Sequence, residues 1–174
     1  MYKISCLFLF LIFLNPTFSQ KVEKENLTQK VKLFWDQGNK KLQATGSYYT
    51  NERRGNTTEK HGKWLFYSYD GILEEERNYY RNRIHGLQTI YFPTKKIKQQ
   101  TYFTFNVPDS SFKEWNEEGQ LIISGNYDLG SPDGIWEYYY DNGKKKSVEE
   151  VIKDTIYLRS FYENDSLQIQ TIKD

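Results

Sequence analysis

The chain has 174 residues, 27% of them charged and 17% aromatic, with 24 Lys and Arg set against 23 Asp and Glu. A net charge this close to zero argues against a nucleic-acid partner, because neutralising phosphates takes a surplus of Lys and Arg. The aromatic content excludes a disordered tail, which would be too poor in such residues to fold.

Residues 1–19 are expected to be a cleaved signal peptide. Lys3 gives a positive start, Ile4 to Leu14 is apolar apart from Ser5, Pro16 breaks the run, and Thr17-Phe18-Ser19 places small residues where a signal peptidase reads. The run is shorter than the ~20 apolar residues of a membrane-spanning helix, although an uncleaved anchor is the alternative. The expected location is therefore exported: periplasmic, cell-envelope or extracellular. Cys6 is the chain's one cysteine and lies inside this segment, so the remainder must be held by packing rather than disulfides.

Residues 20–30 read as a polar lead-in and 31–170 as one repeat domain. Val31 to Tyr49 resembles a first, atypical repeat in which Phe34-Trp35-Asp36-Gln37-Gly38 carries the strand-turn pattern. Thr50 to Lys60 is a polar insertion, expected to be a solvated hairpin loop or a carrier of binding contacts. The triplets starting at Asn26, Asn56 and Asn164 fit a glycosylation acceptor.

A regular array follows. Its copies start at Gly62, Gly86, Ser110 and Gly134, each 24 residues after the last, and a period kept over four copies calls for a repeat architecture. Five residues past each start stand Tyr67, Tyr91, Trp115 and Tyr139; eleven past, Leu73, Ile97, Leu121 and Lys145; seventeen past, Tyr79, Phe103, Tyr127 and Val151. Only Lys145 in these columns is not apolar or aromatic, so they are expected to form the core. Two past stand Trp64, Gln88, Phe112 and Trp136; nine past, Gly71, Lys95, Gly119 and Gly143. The clearest copy runs Gly134 to Lys144: an aromatic strand, then Asp141-Asn142-Gly143 as a two-residue hairpin turn, with Asp133-Gly134 marking the preceding turn. One hairpin of two strands per repeat fits this length, which makes the fold all-β. Ile156 to Leu167 is a final half repeat, and the charges at Lys144 to Lys146, Glu149 and Glu150 are expected to block edge pairing.

The residues offer little chemistry. His61 and His85 each precede a start glycine, and Asp109 and Asp133 take that place in the next copies, so all four are expected to serve structure. No metal-ligand spacing and no phosphate loop occurs, so no catalytic, metal or cofactor site is expected. Glu74 to Glu76 and Glu117-Glu118 fall near turns, and a flat sheet offers no cleft for a facing pair of catalytic acids. Acidic and basic tips alternate, which disfavours lipid headgroups.

Period-two alternation puts Trp136, Tyr138 and Tyr140 on one strand face, aligned with Trp64, Phe66, Phe92 and Phe112. If the three columns above form the core, these seven make an aromatic binding face for a protein or a glycan. The alternative is that packing buries both faces, and a bulge would reverse the parity.

Gly62, Trp64, Tyr67 and Gly71, then Gly119, Leu121, Gly125, Asn126 and Tyr127, then Gly134, Trp136, Tyr139, Asn142 and Gly143 follow a pattern that resembles the MORN-repeat variant proteins. Many bacterial members carry an antitoxin-component label, a role that an exported chain would not play against a cytoplasmic toxin. The resemblance implies successive β-hairpins in an elongated, twisted antiparallel sheet, and little about activity, since related repeats serve as protein- or membrane-binding surfaces. With no catalytic constellation in the residues, the expected function is a non-catalytic protein-binding module. The alternative is a structural or glycan-contacting envelope component.

Overall fold

A computed structural model describes residues 29–51, 55–152, 155–163 and 166–172. The expected signal peptide and lead-in lie outside the described residues, save the last two lead-in positions. Thirteen strands follow one another among the described residues. They are β1 Gln29–Phe34, β2 Leu42–Asn51, β3 Gly55–Tyr67, β4 Leu73–Tyr80, β5 Arg83–Ile84, β6 Gly86–Tyr91 and β7 Ile97–Thr104. The series continues with β8 Val107–Trp115, β9 Leu121–Asp128, β10 Ser131–Tyr139, β11 Lys145–Ile152, β12 Thr155–Glu163 and β13 Ser166–Ile172. Each pairs antiparallel with its neighbour in one open sheet, and the short β5 pairs with β4 alongside β6. This is the expected all-β array of tandem hairpins.

Two kinds of turn alternate at opposite ends of the strands. At one end, Gly71, Lys95, Gly119 and Gly143 have positive φ and close a four-residue turn, as in Gly143 N–H donating to Tyr140 O at 2.8 Å. The loop around Asp141-Asn142-Gly143 is thus a three-residue connection with a left-handed last residue, not the two-residue turn expected. Lys95 adopts the glycine conformation at φ 68°, so the copy lacking this glycine still turns. At the other end are true two-residue turns, Arg81-Asn82, Phe105-Asn106 and Leu129-Gly130, with both φ values positive. Asp133-Gly134 is not a turn. It lies within β10, and the four start residues Gly62, Gly86, Ser110 and Gly134 all have positive φ within or at the start of strands. At Gly134 the β9–β10 register shifts. A glycine with φ > 0 serves a bulge as well as a turn, and sequence does not separate the two.

The two-residue turns also lock hairpins together. Asn82 accepts from Lys60 N–H through its side chain at 2.6 Å and donates its own N–H to Lys60 O at 2.8 Å. Asn106 repeats the clamp on Ile84 at 2.7 and 2.8 Å. In the next copy Gly130 has no side chain to accept, and its partner Pro108 has no N–H to satisfy; only Gly130 N–H to Pro108 O remains.

The described residues of the polar insertion are strand rather than loop. β2 and β3 run into it from either side, with Thr50 opposite Asn56 and Asn51 opposite Gly55, and residues 52–54 lie outside the described residues. The charged cluster from Lys144 to Glu150 does not guard an edge either, since β11 is paired on both sides, by β10 and β12.

Every long hairpin carries a bulge one step before its three-residue turn, between Phe66 and Tyr67, Ile90 and Tyr91, Glu114 and Trp115, and Tyr138 and Tyr139. The core columns split accordingly. Tyr79 pairs with Gly62, two residues from Trp64 on the same face, so the seventeen-past column shares its face with the tryptophans. Tyr139 and Lys145 instead hydrogen-bond Glu137 on the opposite face. With one sheet and no second layer among the described residues, burial is achieved within a face. Ala44, Trp64 and Tyr79 form a buried cluster, with Val31, Leu33, Tyr48, Phe66 and Ile84 packed around it.

Candidate functional site

The expected aromatic binding face does not lie open. Trp64 has no exposed surface and Trp136 is 6% exposed, while Phe66, Phe92, Phe112 and Tyr138 are half-buried. Of the seven, Tyr140 alone is exposed, and it stands with Phe92 at the start of a hairpin turn rather than among the others. The reason for the burial is a glycine across the strand from each tryptophan. A Cβ on Gly46 would come within 2.1 Å of the Trp64 ring, and one on Gly125 within 2.3 Å of Trp136. The indole lies flat on the bare backbone, sealed by Tyr48 at 5.4 Å in one case and Tyr127 at 5.2 Å in the other.

Around Trp64 the rings enclose a cation. Lys60 Nζ stands 5.1, 5.3 and 5.4 Å from the centroids of Trp64, Phe66 and Tyr79, within cation–π range. Burial, followed by the nearby Arg77 charge, holds the Lys60 pKa below the ordinary lysine value, while the ring faces favour the charged form. Sequence reading missed this site. Lys60 precedes the start glycine by two residues, and nothing in a polar stretch signals that its ammonium turns onto the tryptophan.

Around Trp136 the same scaffold is open. Tyr127, Pro132, Trp136, Tyr138, Glu149, Val151 and Ile156 line a groove of about 260 Å³. Glu149 pairs with Arg159 at 2.7 Å and lies 3.3 Å from the Tyr138 hydroxyl. Burial first, then the Glu149 charge, push the Tyr138 pKa up to about 12. Trp64 Nε1 donates to Ser47 O at 3.0 Å, whereas the buried Trp136 Nε1 has no partner among the described residues.

Between the two tryptophan blocks the face turns polar. Glu75, held by Arg77 at 2.5 Å and by Gln88, shares a shallow hollow with Ile90 and Phe92. Gln88 stands where the other copies have Trp or Phe, and it meets Glu75 and Arg77, which the other copies do not repeat.

On the opposite face, toward the two-residue turns, apolar side chains are exposed. Tyr80, Leu87, Tyr102, Phe105 and Ile135 are all more than a third exposed, and Leu87 pairs directly with Tyr102. Tyr80 lies between His61 at 5.3 Å and Phe105 at 6.0 Å; His85 stacks on Phe105 at 4.6 Å, and Arg83 covers that ring at 4.4 Å. Both histidines are therefore part of a stacked row at the turns. No group of His, Cys, Asp and Glu suited to a metal ion occurs among the described residues.

No curated protein matches the chain. Among solved structures, the chain is similar to a crystal structure of an S. aureus TarM mutant in complex with Fondaparinux, alpha-GlcNAc-glycerol and UDP, at 12% identity and a TM-score of 0.32. That match covers 75% of this chain and spans only 21% of the other. The profile of the MORN repeat variant matches residues 60–82, 84–104 and 132–152, passing over the copy that opens with Ser110 in place of glycine. Repeats of this kind are commonly protein- or membrane-binding modules and generally non-enzymatic. By these three matches, and by the hairpin array that contains them, the chain carries repeats of the MORN-variant type.

Proposed function

We propose that this chain is an exported, non-catalytic repeat module that binds a protein partner, using the exposed apolar row on the face opposite the tryptophans. The observation that carries the reading is the row itself: Tyr80, Leu87, Tyr102 and Phe105 exposed together, with Arg83 over Phe105 and Arg81 over Tyr49 at 4.5 Å. Exposed apolar patches rimmed by polar residues mark interaction sites, and Tyr and Arg dominate the energetics of protein interfaces. The aromatics first expected to bind are replaced in this role, because Trp64 and Trp136 are occupied in holding the sheet together. Export rests on the leader-like residues 1–19.

The test is cross-linking in cells with the tagged chain, beside a Tyr80→Ser/Tyr102→Ser/Phe105→Ser variant whose circular dichroism matches the parent. One saturable protein partner, lost in the variant, supports the reading. Retention of both chains on insoluble wall or matrix material, with no protein cross-link, overturns it in favour of a structural or glycan-contacting component. Mass spectrometry of the recovered chain checks export separately: a mature product starting near Gln20 is expected, and a full-length cytoplasmic product would remove export from the proposal.

A further inference from the structure

The two tryptophan blocks are related position by position through an offset of 72 residues. Trp64 and Phe66 become Trp136 and Tyr138, Lys60 becomes Pro132, Arg77 becomes Glu149, and Tyr79 becomes Val151. In the first block the rings hold a primary ammonium supplied by the chain itself. In the second, the residue that would supply it is a proline and the bulky Tyr79 is a valine. These two exchanges leave the groove described above. The third exchange replaces a guanidinium, paired with Glu75, by a carboxylate, paired with Arg159, so the group nearest the rings becomes an acceptor.

We propose that the groove lined by Tyr127, Trp136, Tyr138 and Glu149 is a binding site for an alkylammonium cation. The internal precedent fixes the chemistry: the same scaffold, 72 residues earlier, places a cation 5.1 to 5.4 Å from three ring centroids. Two of those three ring positions are retained in the second block, and Tyr127 packs edge-on against Trp136 at 5.2 Å where Tyr48 packs tilted against Trp64 at 5.4 Å. Tyr127 and Tyr138 remain neutral phenols at physiological pH, since burial raises both pKa values, and so present π faces rather than charges. Glu149 Oε1 is paired with Arg159, while among the described residues Oε2 accepts the long 3.3 Å contact from the Tyr138 hydroxyl. That oxygen is therefore under-used as an acceptor. At about 260 Å³ the groove falls below the usual range for small-molecule pockets of about 300–1,000 Å³, which suits one head group rather than a larger ligand. A substituted ammonium matches best, because methyl groups spread its charge and lower the cost of leaving water for an aromatic site. The site is separate from the apolar row on the opposite face and does not depend on it.

The experiment titrates the purified chain with tetramethylammonium, with a trimethyllysine peptide and with an unmodified lysine peptide, while following the indole N–H resonances by NMR. Neutral tert-butanol is the control of similar shape. Saturable movement of the Trp136 resonance by the cations, with Trp64 unmoved and tert-butanol at least tenfold weaker, is expected. Equal response to tert-butanol would reduce the groove to an apolar hollow and overturn the proposal. Tetramethylammonium binding as tightly as the peptides identifies a free quaternary amine as the natural class; stronger binding of one peptide identifies a lysine side chain. Pro132→Lys supplies the second block with its own ammonium, as Lys60 supplies the first. It is expected to weaken cation binding at least tenfold while leaving the remaining resonances in place, and unchanged binding by that variant would also overturn the proposal.

Discussion

The β3–β4 hairpin and the β10–β11 hairpin carry the same tryptophan on the same kind of bare strand, yet one is closed and the other open. Trp64 has no exposed surface, donates its indole N–H to Ser47 O and is covered by Lys60 and Tyr79. Trp136 has an unpartnered N–H and borders a groove where Pro132 and Val151 stand in the matching places. The glycine–tryptophan pair is common to both and therefore belongs to the fold. What surrounds it is free to vary, and that variation makes one block a core and the other a candidate site.

The comparison can be broken most severely at the tryptophans. Trp64→Ala removes a fully buried side chain and is expected to cost about 3–5 kcal/mol. Trp136→Ala, beside an existing groove, should fall at or below the lower end, as urea midpoints would show. Equal losses would mean that the two blocks are equally closed in solution. Next in size are the glycines. Gly46→Ala and Gly125→Ala each drive a methyl into an indole at 2.1 and 2.3 Å, so losses of about 1–3 kcal/mol from overpacking are expected in both. A smaller loss at Gly125 would show that Trp136 has room to retreat toward its groove.

Smaller effects sharpen the contrast. Trp64→Phe gives up a hydrogen bond and Trp136→Phe removes a buried unpaired donor, so the first should cost about 0.5–1.5 kcal/mol more than the second. The smallest expected effect depends on pH. Glu137 is bonded by Lys145 at 3.0 Å and Tyr139 at 2.8 Å, in that order of influence, which holds its pKa below the usual carboxylate value. A carboxyl depressed by folding stabilises the native state above its unfolded pKa, and that contribution disappears as pH falls through the folded pKa. The matching residues in the first block are Leu65, Leu73 and Tyr67, which carry no such pair. Glu137→Gln should therefore flatten the acid side of the stability profile in thermal melts from pH 7 to pH 3, and an unchanged profile would discard the pair as a contributor.

Lys145 illustrates how much was legible. It was the one residue out of pattern in the repeat columns, and it proves to be the partner of Glu137. The turn column was read correctly even at Lys95, because a fixed period places it whether or not glycine is present. Burial within the aromatic face was not. The seven aromatics assigned to it were aligned by alternation alone, and two of them are core residues. The register shift before every three-residue turn divides the columns between the faces, placing the seventeen-past residues with the tryptophans and Tyr139 with Glu137. The Asn82 and Asn106 clamps escaped notice because each joins residues 22 positions apart, across a strand pairing that local pattern does not encode.

The period, the all-β class, the column of three-residue turns at Gly71, Lys95, Gly119 and Gly143 and the likeness to the MORN-variant repeat were all legible in the residues alone. These follow from local steric preferences that recur every 24 residues. Which aromatic rings are buried, which stay exposed and which frame an open groove was decided only by the tertiary structure. A side chain's burial depends on the residue across the strand, a glycine under Trp64 and another under Trp136, and on bulges that move side chains from one face to the other.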